Sequence, residues 1–231
     1  MTRIVPLSPL PLAALCSLAS AAPAKACAMA LALGLDVSAS VSATEYHQQQ
    51  LGLAAALTDT QVVDAVRDIG GLWIAAFEWS GEKHQYSQLK WSFVDDVFGL
   101  EAVAGTLRDT PRLAKDFPTS VGHALDYAMR LFEELPEPCA RAVIDISSDG
   151  EINEGIAPAQ IYDAHDMGHV TVNALVITKD KPEVAAYYTQ EVIYGAGAFV
   201  EIALTYQEYA DAMSRKLLRE IGARSYAMIM P

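Results

Sequence analysis

Three stretches of this 231-residue chain gather oxygen-bearing side chains at spacings that could hold a cation. The first is Asp36-Val37-Ser38-Ala39-Ser40, where one carboxylate and two hydroxyls at alternate positions can turn toward a common point. Small hard cations prefer such oxygen ligands. The second is Thr119-Ser120-Val121-Gly122, and the third is Asp149-Gly150 within Asp145-Ile146-Ser147-Ser148-Asp149-Gly150-Glu151. Each stretch has an everyday alternative. Ser, Thr and Asp cap helices and build turns, and Asp-Gly is a common turn dipeptide. The chemistry depends on whether the fold brings the three together.

The elements expected to position them alternate in type. The apolar run of 29–35 reads as a buried strand, with Asp36–Ser40 in the loop beyond its carboxyl end. In open parallel α/β sheets, ligands bind at that edge. A helix is expected from about 45 to 57 and a short one over 62–67. A strand follows over 72–79, joined by a Ser80-Gly81-Glu82-Lys83 hairpin to a strand over 85–93. Helices are expected over 97–108 and 121–135, the second with apolar Val121, Leu125, Ala128, Met129 and Phe132 on one face. Thr119 would lead that helix. The β-branched stretch 141–147 reads as a strand, so Asp149 emerges at the same edge as Asp36. The remainder reads as helix 158–167, strand 170–178, helix 183–192, strand 198–204 and helix 207–221. Strands separated by helices imply crossovers, hence a doubly wound, mainly parallel sheet covered on both faces, with one antiparallel edge strand from the hairpin.

Composition limits the partners. The chain is 52% hydrophobic and 19% charged, as globular domains are, and carries a net charge of −13. Nucleic acids are poor partners for such a surface, because their affinity comes from Lys and Arg contacts to phosphate. Residues 1–26 read as a secretory signal, with Arg3, an apolar stretch over 10–22 and the small-x-small site Ala24-Lys25-Ala26. A lipid anchor at Cys27 fits less well, because Lys25 stands where a small residue is wanted. A single exported domain over 27–231, periplasmic or secreted and with no stable membrane span, is therefore expected.

Taken together, Asp-x-Ser-x-Ser after strand one, a Thr leading a helix and Asp-Gly after a later strand resemble the metal-ion-dependent adhesion site of von Willebrand factor type A domains. The resemblance covers 28–221. Further stretches look like one exported bacterial branch of that family, of unassigned function: Val41–Gln49, Glu78-Trp79-Ser80-Gly81, Thr119–Leu125, Asp145–Gly155, Val172-Asn173-Ala174-Leu175 and Lys216-Leu217-Leu218-Arg219-Glu220. The resemblance implies a six-stranded sheet of order 3-2-1-4-5-6. It implies metal ligation by the hydroxyls of Ser38, Ser40 and Thr119, with Asp36 and Asp149 acting largely through bound water. Mg²⁺ suits this nearly neutral oxygen set, with Mn²⁺ or Ca²⁺ as alternatives, whereas zinc prefers His or Cys. The family precedent for the open coordination position is an Asp or Glu carboxylate of a partner protein. Glu78 and Ser120 would lie at the rim or just behind.

That sheet order also bears on the cysteines. Cleavage near Ala26 removes Cys16 and leaves Cys27 and Cys139. Cys27 lies nine residues before Asp36 and Cys139 ten before Asp149. If strands one and four are parallel neighbours ending level, the two cysteines fall level at the opposite edge, within disulfide reach.

Other features carry less. His165 and His169 are four apart and could share a helix face as a zinc pair, but no third ligand is near in sequence. His123 borders the Thr119 stretch. Gly195-Ala196-Gly197 lacks the setting of a phosphate loop. The alternative function is a metal-dependent hydrolase or phosphatase with Asp36 as nucleophile. Against it, Ser38 stands where a second Asp is usual, and no G-x-S-x-G elbow exists.

Overall fold

The computed structural model describes residues 27–179 and 181–222. The expected leader over 1–26 lies outside them. Six strands form one sheet: β1 (Ala30–Asp36), β2 (Leu72–Trp79), β3 (Gln85–Val94), β4 (Ala142–Ser148), β5 (Val170–Ile177) and β6 (Val200–Ala203). Their order is β3-β2-β1-β4-β5-β6, as expected, and only the β2–β3 hairpin pairs antiparallel. The helices are α1 (Ala43–Leu57), α2 (Thr60–Ile69), α3 (Val97–Asp109), α4 (Val121–Glu133), α5 (Pro158–Ala164), α6 (Pro182–Tyr187) and α7 (Tyr209–Gly222).

Strand periodicity sorts the core into two layers. Leu31, Leu33 and Leu35 of β1, Val143 of β4, and Leu175 and Ile177 of β5 pack with α1, α2, α3 and α7. Ala32, Ile144, Ile146, Val172, Ala174 and Val176 face the other way, onto α4, α5 and α6. β1 is buried at every position, which is why its sequence is a continuous apolar run. Gly34 belongs there because a Cβ would come within 2.8 Å of both Ile146 Cδ1 and Phe77 Cζ. Those two side chains fill the space a residue at 34 would otherwise use.

Several boundaries differ from the sequence reading. β1 includes Asp36 as its last residue, and β4 stops at Ser148, one before Asp149. The helix expected over 158–167 ends at Ala164, because His165 is extended (φ −117°, ψ 155°) and its Nε2 meets Asp126 Oδ1 at 2.9 Å. His165 and His169 therefore share no helix face, and the zinc-pair geometry does not exist. The helix expected over 183–192 is α6 followed by one π turn, Tyr188–Val192. The closing helix begins with a short 3-10 turn, Tyr206–Glu208.

At the end of the sheet opposite the Asp36 edge, Cys27 and Cys139 form a disulfide with Cα atoms 4.4 Å apart. They pair as an isolated parallel bridge that extends the β1–β4 register below Ala30 and Ala142. This level placement is the one expected from the nine- and ten-residue spacings.

α7 is fixed to the sheet by a buried polar network. Lys216 Nζ sits 2.7 Å from Asp145 Oδ2 of β4 and 2.5 Å from Glu220 Oε1 one helical turn on. Asn173 of β5 donates to the same Glu220 oxygen at 2.9 Å and accepts from Phe199 N. Arg141 donates to Glu220 O at 3.0 Å, satisfying a carbonyl of the last helical turn. Burial pushes the Asp145 carboxyl above the ordinary range; Lys216 opposes this and the Glu220 charge adds to it.

Candidate metal centre

Asp36 ends β1 and is fully buried. Its Oδ1 accepts from Ser38 N at 2.7 Å, so the carboxylate itself folds the chain into the turn that carries Ser38 and Ser40. Ser42 then starts α1 with a capping box: its hydroxyl accepts from Glu45 N, and Glu45 accepts from Ser42 N. The three hydroxyls come together. Ser38 Oγ is 3.1 Å from Ser40 Oγ and 3.2 Å from Thr119 Oγ1. Ser40 Oγ donates to Asp149 Oδ1 at 2.5 Å, which brings the second carboxylate to the same group. All five residues singled out in the sequence thus lie in one cluster at the carboxyl edge of β1 and β4.

The loop that delivers Thr119 is held by residues that do not enter the cluster. Arg112 threads its guanidinium into the turn after β1, donating to Val37 O at 2.5 Å, Ser38 O at 3.2 Å and Val41 O at 2.9 Å, and to its own loop at Ala114 O. Glu78, fully buried at the end of β2, accepts from Leu113 N and Ala114 N, each at 2.7 Å, and from Gln88 Nε2. It therefore organises the loop from within and offers no oxygen to a partner. Burial raises its pKa; the Ala114 and Leu113 amides, the Gln88 amide and the Arg112 charge pull the other way. Asn153 Oδ1 accepts from Thr119 N at 2.8 Å, and Asn153 N donates to Thr119 O. Gly122 permits this loop to lie against α4, since a Cβ there would fall 2.0 Å from Ile156 O. Ser120 is buried at the N-cap of α4, but its hydroxyl pairs with His123 Nδ1 at 2.8 Å and makes no capping bond.

Burial raises the Asp36 pKa to about 6, and the neighbouring Asp149 charge adds to the effect; hydrogen bonds from Ser148 and Ser38 resist it. Ser148 Oγ donates to Asp36 Oδ2 at 2.5 Å, so both Asp36 oxygens are engaged. Asp149 Oδ2 meets Lys179 Nζ at 2.7 Å, and the same ammonium meets Glu45 Oε1 at 2.8 Å.

The donor set suits a hard divalent cation. It consists of hydroxyl and carboxylate oxygens with two paired acids, and such ions take oxygen ligands and retain water. The buried hydroxyl of Tyr206 has no hydrogen-bond partner among the described residues. Burial and then the charges of Asp149 and Asp36 raise its pKa. Polar atoms in that position suit the water shell of a hydrated ion. Among the described residues no group of three or more His, Cys, Asp and Glu could hold a metal, so any site here depends on the hydroxyls.

Sequence reasoning missed four supporting residues. Arg112 and Lys179 stand in loops, where a cation reads as solvated surface. Ser148 and Asn153 lie inside the Asp145–Gly155 stretch, and that stretch was the available signal.

The strand order and the edge cluster define a von Willebrand factor type A fold. Solved structures agree. A von Willebrand factor type A protein from Catenulispora acidiphila superposes with a TM-score of 0.59 at 14% identity, over 85% of this chain and 43% of that one. Proximal thread matrix protein 1 from the mussel byssus, with a zinc-occupied MIDAS motif, gives 0.61 at 16% identity, over 85% and 48%. The pilus adhesin SpaC from Lactobacillus rhamnosus GG gives 0.55 at 14% identity, over 85% and 30%. The chain spans less than half the length of each. No curated protein matches it. Within this fold, the chain belongs to the family described as protein of unknown function (DUF1194), whose model matches residues 26–225.

Proposed function

We propose that the protein is an exported binding module that uses a divalent cation to engage an Asp or Glu carboxylate of a partner protein. The observation that carries this reading is the convergence of Ser38, Ser40, Thr119, Asp36 and Asp149, from three separate segments, at the carboxyl edge of the sheet. Ser38, Ser40 and Thr119 would hold the ion through their hydroxyls, and Asp36 and Asp149 largely through water. Mg²⁺ is the expected ion, with Mn²⁺ or Ca²⁺ as alternatives. The ion would supply an electrophilic position for an external carboxylate. The protein would hold its own oxygens in place before binding through Arg112, Glu78 and Asn153. The zinc-occupied MIDAS motif of the mussel protein and the adhesin among the similar structures are consistent with this use of the fold.

Export rests on residues 1–26 and is consistent with the Cys27–Cys139 bridge, since disulfides persist in oxidising compartments. Among the described residues, no helix is long and apolar enough to cross a membrane. Isothermal calorimetry with Mg²⁺ and Mn²⁺ tests the metal site: one site is expected, lost or badly weakened in Asp36→Ala with the fold intact. Full-strength binding in that variant would sink the assignment. Partner capture from periplasmic extract should disappear with chelator and in Thr119→Ala. Chelator-insensitive capture would place binding on another surface, and turnover of a phosphate ester that depends on Asp36 would favour the hydrolase reading.

A further inference from the structure

Three carboxylates meet around the candidate centre: Asp36 and Asp149 within it, and Glu45 beside it on the first turn of α1. Left alone they would total three negative charges against a divalent ion, and the occupied centre would repel an anionic ligand. Lys179 changes that balance. It follows β5 in a left-handed conformation (φ 42°), which a side chain rarely adopts without compensation. The compensation is visible: its ammonium bridges Asp149 Oδ2 at 2.7 Å and Glu45 Oε1 at 2.8 Å, and lies 5.2 Å from the Tyr206 ring centroid. The lysine touches the outer oxygen of Asp149, while the inner oxygen stays with Ser40. It can therefore remain in place while Asp149 serves the centre.

We infer that Lys179 is a built-in charge-offsetting residue of the cation centre, weakening its hold on the ion so that the bound ion still attracts an external carboxylate. The inference rests on the metal-site reading. Its consequence runs against the usual outcome of mutating a residue at a binding site: removing Lys179 should strengthen ion binding. A unit charge in contact with a carboxylate that would serve a divalent ion, partly screened at the surface, corresponds to about a tenfold or larger change in affinity.

The experiment is calorimetric titration of the exported, oxidised protein with Mn²⁺ alone, comparing wild type, Lys179→Met and Lys179→Arg. Circular dichroism confirms that each is folded. Lys179→Met should bind Mn²⁺ about tenfold or more tightly, and Lys179→Arg, which keeps the charge, should stay within roughly threefold of wild type. Unchanged or weaker binding in Lys179→Met, with wild type binding normally, overturns the role of Lys179 and leaves the metal site standing. Equal tightening in both variants also overturns it, because charge would then not be the cause. If wild type binds no divalent ion, the site reading and this inference fall together.

Discussion

Replacing Lys216 with Met tests the logic of the buried network that joins α7 to the sheet. The substitution keeps most of the side-chain volume and removes the ammonium that stands 2.7 Å from Asp145 and 2.5 Å from Glu220. Lys216, Asp145 and Glu220 all have fully buried side chains, so water cannot replace the lost charge. Removing one partner of a buried ion pair typically costs about 3–5 kcal/mol. The alternative for the variant is to protonate Asp145. That route grows more costly as pH rises above an ordinary Asp pKa. A loss of about 3–5 kcal/mol is therefore expected at pH 7.5 from the unpaired buried acids. The pH dependence has a definite sign. Burial already raises Asp145, and without Lys216 its folded pKa rises further. A raised folded pKa gives stability that is present below the unfolded pKa, near 4, and lost as pH rises toward the folded value. The variant should therefore recover toward wild type at pH 5, and adding Glu220→Gln should restore part of the loss at pH 7.5. Urea unfolding at the two pH values measures all of this. A Lys216→Met protein within about 1 kcal/mol of wild type at pH 7.5, with no pH trend, would refute the reasoning.

Other expectations follow from single contacts. Changing Cys27 and Cys139 together to Ser removes a cross-link spanning 112 residues, worth up to about 4–5 kcal/mol in the loop-entropy picture. Calorimetric Tm should fall by roughly 8–20 °C at about 2–4 °C per kcal/mol, and two free thiols in the denatured, unreduced protein cleaved near Ala26 would contradict the bridge. Glu78→Gln keeps an oxygen for the N–H groups of Leu113 and Ala114, but it replaces a charged acceptor by a neutral one and sets an NH2 group against Gln88 Nε2; a loss of about 1–3 kcal/mol in urea unfolding is expected, with weaker Mn²⁺ binding because the Thr119 loop loosens. Gly122→Ala places a Cβ 2.0 Å from Ile156 O, so a loss of about 1–3 kcal/mol or more should appear in the same assay.

The parts legible in sequence were those written in one residue pattern at a time. β1 showed itself because burial on both faces demands a run without polar interruption, and Asp36 stood out as the first charge after it. The cysteines were legible because parallel neighbours keep equal spacing, so nine and ten residues back from the two acids meant the same level. Lys179 was not legible: a lysine in a loop after a strand has no periodicity, and its role depends on Asp149 and Glu45, 30 and 134 positions away in sequence. Arg112 was hidden for the same reason, since its acceptors are backbone carbonyls and any sequence supplies those. The early end of α5 was invisible because the helix yields at His165 to a contact with Asp126 on α4, 39 positions away in sequence.

A centre built mainly from hydroxyls places an unusual demand on the rest of the chain. Carboxylate cages hold an ion by charge even when their loops move, but neutral oxygens contribute little unless already in position. The positioning here is done by groups that bond backbone rather than ligand. Arg112 fixes the turn carrying Ser38 by its carbonyls, Glu78 fixes the preceding loop by its amides, and Asn153 grips Thr119 by both. Because those bonds ignore side-chain identity at the positions they hold, the exposed residues beside the centre are free to vary. Ala39 is such a residue, exposed and bonded through its backbone alone. On the metal-site reading, Ala39→Ser should leave Mn²⁺ binding unchanged in calorimetry, whereas Arg112→Ala should weaken it.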